Sequence, residues 1–388
     1  MGEYIIESYL LSEACVLKHD WRLFDIEKQL NILRYINPVN AGREKAKFLR
    51  AYAAGKSYDP IFEYEEPGPE VRDFCRKMER IRGKLENCRA SFFAPGYIEK
   101  IDRLRKLAEL LKHRDSPAFG PELVAHFGTP SGKVLREAGR NLRMFQAAYE
   151  PENLDSAAVR RIFENELKAY GLEWEVRPFL EGGAKLAVNS TRGEVYVDLS
   201  ARFSENSIKR YLYHEIRTHV FRAENGKRQP LTIFLSGFPG YSETEEGLAV
   251  YNEYANGLLD PEALRKYSAR VIAASMVPHA SFSEIFEEML RYFPPEKAYT
   301  ITQRVKRGMI DTSLPGGYTK DYIYLSGFLK VSDFLQTQPS KTAALKVLYC
   351  GKIGIENFEM ARDLFERGVL KTPRYSPEME RPAQNAIL

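Results

Sequence analysis

Residues 214–219 read HEIRTH, and the spacing of the two histidines restricts the backbone that can carry them. In the zinc-peptidase pattern H-E-x-x-H the histidines stand four residues apart, about one helical turn, so both rings leave the same face. Here the interval is five. On a regular α-helix five residues turn the second ring roughly 140° from the first, and the two diverge. A π-bulge resolves the conflict by adding one residue to a turn, and such bulges concentrate at functional sites. The sequence therefore predicts a widened turn between Ile216 and His219, with both imidazoles on one side.

A catalytic zinc takes three protein ligands and keeps a fourth position open for water. His214 and His219 supply two, and Glu215 is placed to act as base. A third ligand should come from a following helix, and the segment GYSETEEGLAVYNEY supplies glutamates. Ser242 with Glu245 reads as a capping box, so a helix starts there. Glu246 then lies in its first turns and can reach the metal. Glu245 is the competing choice, although the box would occupy its side chain. The bare motif arises by chance in roughly one chain of this size in a hundred. The competing reading is a pair of ordinary polar residues on a helix.

The rest of the chain supports a folded protein of two structural units. Its 388 residues, with 44% hydrophobic and 28% charged side chains, can bury a large core and are not disordered in character. No apolar run approaches the ~20 residues that span a bilayer, so no membrane partner is expected. The opening stretch has early acids and no uninterrupted apolar segment, unlike a signal peptide. Cys15, Cys75, Cys88 and Cys350 are scattered, so reduced thiols and a cytoplasmic location are expected. The formal charge of +4 is uneven: from Arg72 to Arg114, 13 Lys/Arg stand against 6 Asp/Glu. That basic stretch suits an acidic partner. The low overall charge and the lack of a nucleic-acid motif argue against DNA or RNA.

Residues 1–155 read as mostly helical, with a clear apolar period in YIEKIDRLRKLAELL. A second unit begins near Asp155 and runs to Tyr375, followed by a loosely held tail at 376–388. It opens with an amphipathic helix that stops at Gly171. Strand-like runs follow at Glu175–Leu180, Ala184–Asn189 and Glu194–Leu199, the first two flanking a Glu-Gly-Gly turn. Ser204 is the expected N-cap of the helix carrying HEIRTH. Asp260-Pro261 and Ser281-x-x-Glu284 mark two later helix starts. The fold class is α+β, mostly helical, with a small sheet.

The stretch HEIRTHVFRAENGKRQPLTIFLSGFPGYSETEEGLAVYNEY resembles the microtubule-associated tyrosine carboxypeptidases and their bacterial relatives, a family long marked by a QEGLA motif. FSENSIKRYLYHE, RVKRGMIDTSLPGGYTKDYIYLSGFLKV and LYCGKIGIENF look like further family blocks, and NPVNAGREKAKFL with YDPIFEY looks like its N-terminal signature. The resemblance runs from about Asn37 to Tyr375. It implies a gluzincin-like zinc metallopeptidase domain over 156–375, with the N-terminal helical region capping it or facing substrate. His214 and His219 fall on the zinc-binding histidines, Glu215 on the catalytic glutamate and Glu246 on the third ligand. Two departures stand out: Arg217 replaces the usual glycine of HEIGTH, and Glu245 stands where many members have glutamine.

The implied activity is a Zn2+-dependent carboxypeptidase that removes a C-terminal residue, tyrosine or another aromatic, from a peptide or protein tail. Such an enzyme needs oxyanion donors, for which Tyr241, Tyr318 and Tyr324 are candidates. It also needs a cation for the terminal carboxylate, for which the candidates are Arg222, Lys320, Arg304 and Arg307. The alternative from another class is a non-catalytic, metal-stabilised regulatory module that binds protein. The intact Glu215 speaks against it, since a structural site needs no base.

Overall fold

A computed structural model describes residues 13–30, 32–145, 150–179 and 184–381. The first twelve residues, on which the signal-peptide expectation mainly rests, lie outside that set, as does the Glu-Gly-Gly turn. The described chain is mostly helical with small sheets, an α+β architecture. No helix among the described residues is long and apolar enough to cross a membrane.

The N-terminal region is helical, as its apolar period requires. It contains α1 (Ala14–Gln29), α2 (Pro69–Leu85) and α3 (Ala94–Lys112). Both α2 and α3 carry a proline in the first turn, where a missing N–H costs nothing. They pair antiparallel: Arg82 meets Asp102 at 2.7 Å, and Arg105 meets Glu79. Part of the basic excess of this stretch is therefore taken up between the two helices. Arg72, Arg80, Lys84, Arg89 and Lys106 stay exposed.

Helix α4 (Ser156–Ala169) opens the second unit. The Asp155 side chain caps it by accepting from the Ala158 N–H at 2.8 Å, and Gly171, at φ +67°, ends the turn beyond it. The predicted strands follow as β1 (Glu175–Phe179), β2 (Leu186–Asn189) and β3 (Glu194–Asp198). The strands flanking the glycine turn do not pair with each other. β3 lies between them, parallel to β1 and antiparallel to β2. Val195 and Val197 explain this, since both are fully buried and belong on a central strand. β2 is left as an edge.

Ser204 caps α5 (Glu205–Tyr211) in a box with Ser207, as expected. A π-helix (Leu212–Val220) continues it directly. Next come α6 (Tyr241–Ala255), α7 (Pro261–Met276, capped by Asp260) and a helix at Phe282–Leu290 with the expected Ser281–Glu284 box. The last element that shapes the site is α8 (Ile323–Thr337).

One hydrophobic cluster runs through both regions. It joins Val16 and Leu23 of α1, Met78 of α2 and Ile101 of α3 to Phe163 of α4, Val195 of β3 and Ile216 of the π-helix. Buried polar bonds cross as well. Asp20 accepts from the Thr232 N–H at 2.9 Å and from its hydroxyl at 2.6 Å, and Arg114 donates to the Gly308 carbonyl at 3.5 Å.

Reduced thiols were expected, but Cys15 and Cys88 form a disulfide with a Cα–Cα separation of 5.4 Å. Packing of α1 on α2 brings together positions 73 residues apart, which spacing alone conceals. The cysteines therefore carry no argument about compartment. Cys75 and Cys350 remain free and buried.

The crossing of α6 and α8 rests on two glycines. A Cβ on Gly247 would stand 2.3 Å from the Gly327 carbonyl oxygen, and one on Gly327 would strike the Glu243 carbonyl. Gly247 is the glycine of the E-G-L-A sequence, so that motif encodes close contact between two backbones. Replacing Gly247 with Ala should cost about 1–3 kcal/mol through overpacking. A Gly42→Ala control, with open space around it, should be neutral or slightly stabilising. Urea denaturation of the two variants checks this.

Candidate metal centre and active site

The turn carrying HEIRTH is wide. The Phe221 N–H reaches back to the Ile216 carbonyl, five residues earlier. The π geometry covers nine residues rather than the single predicted bulge. Displaced backbone carbonyls find side-chain donors: the Thr218 hydroxyl donates to the Tyr213 carbonyl at 2.9 Å, and the Tyr349 hydroxyl to the Arg217 carbonyl at 3.0 Å. Asn252 donates to both hydroxyl groups at 2.7 Å and ties them together. The result brings the His214 and His219 ring centres to 5.0 Å.

Glu246 joins them from α6. Its Oε2 lies 3.3 Å from His214 Nε2 and 3.7 Å from His219 Nε2. That oxygen is buried and has no hydrogen-bond partner. Tetrahedral ligands at about 2.0–2.1 Å from a zinc ion stand about 3.3–3.4 Å apart, so the Glu246 oxygen lies at about that edge length from His214 Nε2 and slightly beyond it from His219 Nε2. Ligand atoms of His214, Glu215 and His219 also lie within 4.8 Å of one another.

The far side of each imidazole is fixed. His214 Nδ1 meets Glu253 Oε1 at 2.6 Å, and His219 Nδ1 meets Glu245 Oε1 at 2.9 Å. A carboxylate on Nδ1 selects the tautomer that leaves Nε2 as an open lone pair, the usual support of a metal-binding histidine. Burial alone would lower the His214 pKa. The carboxylates of Glu246, Glu253 and Glu215 outweigh it and hold the ring at about 10, so a cation entering here displaces a proton. Glu215 is buried, and burial raises its pKa against the pull of the two histidines. A carboxylate poised in this way suits proton transfer.

Behind the carboxylates lie cations. Glu253 is met by Arg210 at 3.3 Å and by the Tyr267 hydroxyl at 3.0 Å. Glu245 is met by Arg222 and, at 3.2 Å, by Lys352. Two expectations change here. Helix α6 starts at Tyr241, after Gly240 at φ +78°, and the Ser242–Glu245 box does not form. Glu245 instead orients His219. Arg222, expected to meet substrate, is 0% exposed and fully engaged, donating to Glu245 and to the Leu348 and Ile353 carbonyls at 3.2 and 2.8 Å.

The other candidates separate. Lys320 and Tyr241 line a cavity of about 1240 Å3. Its lining includes Lys100, Leu104 and Phe127 together with Ala187, Val188 and Asn189 of edge strand β2, but not His214, Glu215, His219 or Glu246. Burial would lower the Lys320 pKa, but Tyr318, Tyr241 and Glu246 outweigh it and keep the ammonium charged. Tyr324, on α8, stacks on His214 at 6.0 Å and 25°. Tyr318 is buried against Phe127 at 4.5 Å and under Arg307, so it serves packing. Arg304 and Arg307 bind Asp321 at 2.5 and 3.7 Å.

Arg217 points away from the histidines. Its guanidinium donates to the Pro377 and Met379 carbonyls at 3.2 and 3.0 Å and lies over the Tyr213 ring. It thereby holds the start of the expected loose tail. Residues 382–388 lie outside the described set. Glu253, Arg210 and Lys352 escaped the sequence reading. Glu253 had a signal, since it follows Glu246 by seven residues, two helical turns along one face.

The family profile described as microtubule-associated tyrosine carboxypeptidase matches residues 47–387. The chain belongs to this family. It is 26% identical over 360 residues to microtubule-associated tyrosine carboxypeptidase 1 of Rattus norvegicus, covering 90% of this chain and 66% of the relative. Against the Homo sapiens protein of the same name it is 27% identical over 327 residues, 81% of this chain and 59% of the relative. The chain thus spans 59–66% of the length of these relatives.

Arg222→Met should leave Glu245 partly uncompensated in the interior and cost about 3–5 kcal/mol. Guanidinium denaturation measures it. Near wild-type stability would overturn the reading of Arg222 as the buried counter-charge of Glu245.

Proposed function

We propose that this chain is a zinc-dependent metallopeptidase of gluzincin type that acts as a carboxypeptidase. The observation that carries the reading is the convergence of His214 Nε2, His219 Nε2 and the orphaned Glu246 Oε2, with both Nδ1 atoms locked by carboxylates. Zinc held by these three side chains would act as a Lewis acid and acidify a water. Glu215 takes the proton from the attacking water and returns it to the leaving amine. The Tyr324 hydroxyl stays protonated, because burial and the nearby Glu246 raise its pKa well above 10. It can donate to the oxyanion that develops on the substrate.

The cavity accounts for the rest of the substrate. Edge strand β2 lies along it and beside the π-helix, so an extended peptide can add to the sheet by main-chain hydrogen bonds. Lys320 and Tyr241 then meet its polar groups. The names of the relatives point to tyrosine as the residue removed and to a protein tail as the substrate. The exposed basic residues on and beside α2 and α3 suit an acidic tail.

Purified protein should bind one zinc per chain and shorten peptides by one C-terminal residue, read by mass spectrometry. Glu215→Gln should keep the zinc and lose cleavage by at least 100-fold. Glu253→Gln should weaken zinc 10–100-fold in a chelator competition, because it loosens the His214 ring. Wild-type cleavage that survives complete zinc removal would exclude this mechanism.

A further inference from the structure

Arg270 on α7 is a buried cation. The residue is 9% exposed, and its Nε is buried without a hydrogen-bond partner. Among the described residues no carboxylate ion-pairs with it. The nearby acid, Asp321, is engaged by Arg304 and Arg307. A buried guanidinium without a counter-ion is costly, and folds normally pair or remove one. Here it is retained beside the candidate active site. Its guanidinium lies 4.8 Å from the centre of the Tyr324 ring, and Tyr324 is the ring stacked on His214. Tyr267 lies parallel to Tyr324 at 5.2 Å and fixes that ring through its own bond to Glu253.

Position and chemistry together indicate an anion from the substrate. A terminal carboxylate lies one residue, under ~4 Å, from the carbonyl that is attacked. The group that receives it therefore belongs close to the metal ligands, and Arg270 is separated from His214 by one aromatic residue, lying 4.8 Å from the Tyr324 ring centre, itself 6.0 Å from that of His214. A guanidinium also matches a carboxylate with two parallel hydrogen bonds, which an ammonium cannot do. We propose that Arg270 receives the terminal carboxylate of the residue to be removed, and so makes the enzyme an exopeptidase. This rests on the carboxypeptidase reading above. Lys320, out in the cavity, steers the chain without setting that selectivity.

The test uses three peptides of one sequence: a free acid, its C-terminal amide, and an amide whose last residue is glutamate. Wild type should cleave the free acid and discriminate strongly against both amides in kcat/KM. In zinc-loaded Arg270→Gln that discrimination should fall by about 100-fold. Arg270→Lys, which keeps the charge without the fork, should recover part of it. Lys320→Met should slow all three peptides and leave the ratio unchanged. Melting curves and zinc content establish that each variant is folded and loaded. An unchanged acid-to-amide ratio in either Arg270 variant overturns the assignment and leaves the carboxypeptidase reading intact, as does a ratio that collapses in Lys320→Met alone. Equal cleavage of the glutamate amide and the free acid by wild type would mean that the site reads a side-chain carboxylate, which also overturns it. A wild type that cleaves none of the three overturns the carboxypeptidase reading and this proposal together.

Discussion

Two imidazoles can serve one centre only when their Nε2 atoms converge, and in this chain convergence depends on how the backbone absorbs one extra residue. The π-helix does so at a price in regular hydrogen bonding, since some carbonyls lose their usual partners. Thr218, Tyr349 and Asn252 answer that loss from the side. None of these bonds involves a histidine ring, yet they hold the geometry that sets the ring separation. Arg217 belongs to the same scaffold. Its side chain does not crowd the site, because it is held by the Pro377 and Met379 carbonyls.

Charge alternates outward from the centre in two parallel series. On one side His214 leads to Glu253 and then Arg210; on the other His219 leads to Glu245 and then Arg222 with Lys352. Each carboxylate is buried, and each has cations behind it that keep it ionised. Burial would raise the Glu245 pKa, but Arg222 and Lys352 hold it well below the ordinary carboxylate range. An acid kept charged in a dry interior is a firm acceptor, so the rings it orients have little freedom. Arg270 breaks the alternation, which is why it draws attention.

Much of this was readable in the sequence where the signal is local. The spacing of His214 and His219 called for π geometry, and Ser204, Asp260 and Ser281 marked helix starts that the structure shares. Signals that depend on distant partners were not readable. The Ser242–Glu245 spacing imitates a capping box, but Arg222 and His219 compete for that carboxylate and win. Arg222 looked available because it follows His219 by three residues, yet which face of the helix meets Leu348 and Ile353 is decided by tertiary packing. The Cys15–Cys88 link and the order of the three strands likewise depend on contacts that no short window contains. Gly247 was visible as part of a motif, but its reason lies in a backbone that arrives eighty residues later.

The cavity wall built from α3 and its neighbours shares one apolar cluster with the sheet and the π-helix. Swinging it outward would tear open that cluster and strand Asp20, Arg114 and their partners. The gap between wall and edge strand is therefore a fixed gauge rather than a jaw. Under the proposed function, a target would have to bring an extended segment to a gap that does not widen for it. Selection of this kind would act on the local order of the target before any side chain is read.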